Sequence, residues 1–87
     1  MSVAYEVVIP NRVAKAVRQL DGSVKERVID RIEALRAEPR APGTVAMRNE
    51  ANTYRVRIAD YRVVYEVRDA EHIVLTVQVG HRRDVYR

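Results

Sequence analysis

Cysteine is absent from the 87 residues, which excludes a disulfide framework and any thiolate metal site and fits a reducing compartment. No apolar run approaches the roughly 18 residues needed to span a membrane. Met1 to Val8 is too short for a signal peptide and lacks the basic start of one, so a soluble cytoplasmic protein with no membrane partner is expected. There is no glycine-rich phosphate loop and no His/Cys/carboxylate cluster at metal-ligand spacing. No strand carries paired carboxylates either. Neither a metal nor a cofactor is therefore expected. Ser2 and Ser23 are the only serines, and neither stands beside a histidine in sequence. Any chemistry is left to cationic and aromatic side chains.

What is present points to one small domain over residues 1–87, near the lower size limit for an independent core. Hydrophobic residues make up 47% of the chain and charged residues 32%, a mixture that folds rather than stays disordered. The net charge is +4, the isoelectric point about 9.9, and 14 of the 16 basic residues are arginine. Arginine presents a planar fork of donors that matches phosphate oxygens. The excess is spread evenly, with nine basic and seven acidic groups over residues 1–53 and seven and five over 54–87. Total charge alone thus favours a polyanion partner only modestly. Placement has to decide.

Val3, Tyr5, Val7 and Ile9 alternate along a first strand that Pro10 stops. Helical spacing follows at Val13, Val17 and Leu20, and Asp21-Gly22 interrupts it. Ser23 to Glu26 has the capping-box form, opening a second helix striped by Val24, Val28, Ile32 and Leu35 and ended by Pro39. Residues 39–52 read as irregular, with Val45 and Met47 tucked under the loop. Tyr54–Ile58 and Tyr61–Val67 form a hairpin turning at Ala59-Asp60, where alanine is an unusual turn residue. After a turn at Asp69-Ala70-Glu71, Ile73–Val79 is a near-continuous apolar run, as a central strand requires. The order β-α-α-β-β-β predicts an α+β fold, with two N-terminal helices on one face of a mainly antiparallel four-stranded sheet.

Side chains alternate across a strand. Arg55 and Arg57 share one face of the first hairpin strand, opposite Tyr54, Val56 and Ile58. Arg62 shares the corresponding face of the second. If the helices cover the other face, these three arginines can converge; the same pattern also describes an ordinary polar outer face. His81 follows Gly80 at the exit of the last strand, and an imidazole is the side chain suited to acid–base work near neutrality. It reads equally as a polar residue near the C-terminus. His72, beside acidic turn residues, reads as solvated.

The segment Tyr54-Arg55-Val56-Arg57-Ile58-Ala59-Asp60-Tyr61-Arg62-Val63-Val64-Tyr65-Glu66-Val67 and the ending Val79-Gly80-His81-Arg82-Arg83-Asp84-Val85-Tyr86-Arg87 resemble the RelE/ParE superfamily of bacterial toxins, the RelE branch above all. The element order agrees across the whole chain. The resemblance implies a metal-independent, ribosome-dependent endoribonuclease that cuts mRNA in the A site and is neutralised by a cognate antitoxin protein. The ribose 2′-OH attacks the adjacent phosphate and leaves a 2′,3′-cyclic phosphate. By position, Arg55 and Arg57 fall beside the scissile phosphate, Arg62 clamps it, and Arg82 serves the leaving group. Tyr86 orients the base, Arg83 adds phosphate contact, and His81 is the acid–base candidate. Three departures stand out. Some relatives have lysines at the places of Arg55 and Arg57, and arginine hardly ever gives up its proton. Ala59 replaces a common glycine. Val45-Ala46-Met47-Arg48-Asn49 stands where a Leu-x-Gly pattern is usual. A ParE-like inhibitor of DNA gyrase, without nuclease activity, is the alternative on the same fold.

Overall fold

The apolar stripes meet where their spacing directs. Val13 and Val17 on one helix, and Val28, Ile32 and Leu35 on and just after the next, are buried against Val56, Ile58, Val63, Tyr65, Val67, Val74 and Val79 of the sheet. The computed structural model describes residues 4–81. Among these, the strands are β1 (Glu6–Val8), β2 (Thr44–Ala46), β3 (Thr53–Ile58), β4 (Tyr61–Arg68) and β5 (Ile73–His81). The helices are α1 (Asn11–Arg18) and α2 (Gly22–Ala34), and a 3-10 turn, Asp69–Glu71, links β4 to β5. The sheet order is β1-β5-β4-β3-β2, with β1 parallel to β5 and every other pair antiparallel. The expected α+β architecture is present.

The described sheet has one strand more than the four expected. Gly43, at φ +95°, turns the chain into β2, which pairs Thr44, Val45 and Ala46 with Val56, Arg55 and Tyr54. A backbone bond from Met47 N to Thr53 O, 2.8 Å, continues the pairing. Three residues are too few to display a two-residue period. As an edge residue, Val45 is 47% exposed rather than tucked under a loop.

The second helix also begins differently. Asp21, extended at φ −60° and ψ 149°, is its N-cap, and no side chain caps it. Ser23 therefore lies inside the first turn, and the Asp-Gly break marks the start. The Lys25 amide donates to the Asp21 carbonyl at 2.7 Å. At the other end the helix stops at Ala34, ahead of Pro39. Pro39 is buried, and its carbonyl accepts the hydroxyl of fully buried Tyr65 at 2.6 Å.

Strand β5 carries one irregularity. Val64 pairs with Gln78, but the next residue, Tyr65, pairs with Thr76, so Val77 is an extra residue, a β-bulge. Arg12 of α1 reaches across and donates to the Val77 carbonyl at 2.9 Å.

Candidate nucleic-acid interface

The hairpin register fixes which side chains share the outer, helix-free face. Arg55 stands opposite Val64, and Arg57 opposite Arg62. With Gly43 and Val45 of the β2 edge, the three arginines line a hollow of about 210 Å³. Two cations directly across a strand pair repel. Backbone carbonyls offset this: Arg57 Nε donates to the Ala59 carbonyl at 3.0 Å, and Arg62 Nη1 lies 3.4 Å from the Tyr61 carbonyl. The Ala59 carbonyl belongs to the hairpin turn, where Ala59 holds φ +54°. That left-handed region suits two-residue hairpins but is usually filled by glycine or asparagine. Val64, an apolar residue on this face, is only 6% exposed. It lies between Arg55 and Gln78 in register, where their aliphatic stems can cover it while the polar ends stay in water.

His81 is placed elsewhere. It pairs with Tyr61, and the two rings meet edge to face at 5.6 Å and 79°. Gly80, not His81, is the partner of Arg62. Since consecutive side chains alternate, His81 projects to the same side as Val79 and Tyr61, across the sheet from the arginines. Arg82, Arg83 and Tyr86 lie outside the described residues. His72 is exposed at φ +54°, its ring 5.5 Å from that of Tyr5.

A second polar cluster left no sequence signature, because its members are far apart in the chain. Arg40 forks onto both oxygens of Asp69 at 3.0 and 2.9 Å, and its Nε donates to Tyr54 Oη at 2.7 Å. Tyr5 Oη donates to Asp69 Oδ1 at 2.7 Å. The guanidinium also lies 5.2 Å from the Tyr54 ring centre, and that ring stacks on Tyr65 at 5.9 Å. The bonds from Arg40, then that from Tyr5, pull the Asp69 carboxyl down to about 2. The same carboxylate raises the Tyr5 hydroxyl above its ordinary value. The cluster fastens the segment after α2 to the turn after β4, so its chemistry is structural.

Among the described residues, no three or more His, Cys, Asp or Glu side chains are grouped to hold a metal ion. No described helix is long and apolar enough to cross a membrane. The hollow can bind phosphate oxygens through several charge-assisted donors at once. What its arginines cannot do is take a proton.

Residues 8–86 match the family described as ParE toxin of type II toxin-antitoxin system, parDE. Toxin RelG of Mycobacterium tuberculosis is 36% identical over 53 residues, and the match spans 61% of this chain and 61% of that protein's length. Among solved structures, the isolated E. coli RelE toxin superposes with a TM-score of 0.79 at 26% identity, covering 90% of this chain and 84% of that one. The RelBE2 toxin–antitoxin complex of Mycobacterium tuberculosis gives 0.79 at 26%, covering 92% and 100%. The archaeal RelE–RelB complex of Pyrococcus horikoshii OT3 gives 0.80 at 26%, covering 92% and 97%.

Proposed function

Since the chain belongs to the RelE/ParE superfamily of type II toxin–antitoxin toxins, on its RelE branch, we propose that it is a cytoplasmic endoribonuclease cutting mRNA in the ribosomal A site. The observation that carries this reading is the convergence of Arg55, Arg57 and Arg62 on one hollow of the outer face. In the reaction the 2′-oxygen loses its proton and attacks the adjacent phosphorus. The bond to the 5′-oxygen breaks, and that oxygen takes up a proton. Arg62 clamps the phosphate, while Arg55 and Arg57 neutralise the charge that grows on its oxygens in the transition state. Arg82 serves the leaving oxygen, Arg83 holds a neighbouring phosphate, and Tyr86 stacks on the base to bring the 2′-oxygen into line. The 2′ proton goes to His81 or to water. No step uses a metal.

The partner is a cognate antitoxin, a separate chain that covers or distorts the basic face; the RelE relatives crystallised with RelB motivate this. Induced expression followed by mapping of mRNA 5′ ends tests the nuclease. In-frame cuts within translated codons are expected. Growth arrest with intact translated mRNA removes the reading. Because the matching family is described by ParE, the second reading is gyrase inhibition. It requires DNA breaks with translated mRNA uncut in the same experiment.

A further inference from the structure

The hollow on the outer face does not end at Arg57. Strand β2 pairs only with Tyr54, Arg55 and Val56, so β2 does not cover the β3 edge at Arg57 and Ile58. Gly43 turns the chain at this point. On the far side of the gap a second hollow, of about 380 Å³, is lined by Arg27, Asp30, Arg31 and Ala34 of α2 together with Arg57 and Ile58. Arg57 is common to both hollows. Arg31 stands at the joint: its Nη2 donates to the Pro42 carbonyl at 3.2 Å, and a Cβ built on Gly43 would lie 3.7 Å from that nitrogen. Arg27 and Arg31 are four residues apart, on one face of α2. Three guanidiniums against the single carboxylate of Asp30 leave this second hollow cationic.

We infer that the two hollows form one phosphate track, and that the part on α2 holds the backbone of the substrate RNA strand beyond the phosphate clamped by Arg62. This rests on the nuclease reading above and extends it. The α2 hollow carries three guanidiniums and no aromatic platform among its lining residues. It fits contact to phosphate rather than readout of base edges, and so adds affinity independent of sequence.

The test uses the full-length protein and 2′-O-methyl RNA, which binds but cannot be cut because the attacking oxygen is blocked. Binding of a trinucleotide and of a nonanucleotide is followed by fluorescence anisotropy over a range of salt. The wild type should hold the nonanucleotide about tenfold more tightly or better. The Arg27→Ala/Arg31→Ala variant should lose that advantage while holding the trinucleotide as before. Its plot of log affinity against log salt should be shallower by about 1.4, at roughly 0.7 for each single-strand phosphate that is no longer neutralised. Arg27→Ala alone leaves the Arg31–Pro42 bond in place and should give about half the change in slope. A nonanucleotide advantage and salt slope unchanged in both variants overturn the track. So does weakened binding to ribosomes or antitoxin alone, with oligonucleotide binding untouched. Failure of the nuclease reading looks different: Arg62→Ala would then leave trinucleotide affinity unaltered.

Discussion

Replacing Ala59 by glycine should stabilise the protein. Ala59 holds φ +54° at the first position of the hairpin turn that carries Arg57 on one side and Arg62 on the other. An L-residue in the left-handed region costs roughly 1–2 kcal/mol from the approach of its Cβ to the following carbonyl. Glycine removes that clash but leaves the unfolded chain freer, which costs about 0.4–1 kcal/mol. The expected net gain is therefore about 0.5–1 kcal/mol. For a domain of this size that is a rise in melting temperature of about 2–8 °C. Thermal unfolding by circular dichroism and urea titration, both in an Arg62→Ala background to avoid toxicity, measure it. Ala59→Val supplies the opposite arm, because a β-branched residue at positive φ is a true outlier. The order Gly, Ala, Val in falling stability is expected. A glycine variant no more stable than the parent would show that Ala59 is not strained and refute the argument.

Arg62→Ala and Tyr86→Ala should each abolish growth arrest while the purified proteins keep the parental circular dichroism; a double variant that remains fully toxic would refute the site assignment. Asp69, drawn from 3.8 to about 2, stabilises the fold above the unfolded value and loses that contribution as pH falls through about 2. Between about pH 5 and pH 2 the wild type should thus lose more stability than Asp69→Asn, as read from urea midpoints at each pH. Tyr65→Phe strips the buried Pro39 carbonyl of the hydroxyl at 2.6 Å and should cost about 1–3 kcal/mol, seen as a lower urea midpoint at unchanged slope.

Much of the fold was legible in the chain before its structure, for a physical reason. Val13 with Val17, and Val28 with Ile32 and Leu35, repeat at helical spacing because one face of each helix must be buried. Arg55 and Arg57 alternate with Val56 and Ile58 because a sheet with helices on one side has one wet face. What was hidden lacks a local pattern. Strand β2 is three residues long, and its pairing is set by β3 rather than by its own composition. The Ser23 motif has the right letters for a cap, but Asp21-Gly22 starts the helix first. Arg40 and Asp69 find each other across 29 residues, beyond the reach of any spacing rule.

The bulge at Val77 has the largest consequence for the chemistry, and a continuous apolar run cannot reveal it. Val74 and Thr76 face the core. Unbroken alternation from them would turn Gly80 inward and set His81 on the outer face beside the arginines. The extra residue inverts the parity, so that Val79 is buried, Gly80 stands next to Arg62, and His81 meets the Tyr61 ring. A one-residue shift in register moves every later side chain to the other face. The row Arg57, Arg62, Gly80 therefore ends in a residue without a side chain. On this geometry the arginines can stabilise charge but not accept a proton, and the histidine able to accept one stands across the sheet. Water is then the acceptor the placement favours for the 2′ proton. If so, cleavage by His81→Ala should keep a rate near the parental one. A drop of a hundredfold or more, within the range general-base removal produces, would return the role to His81.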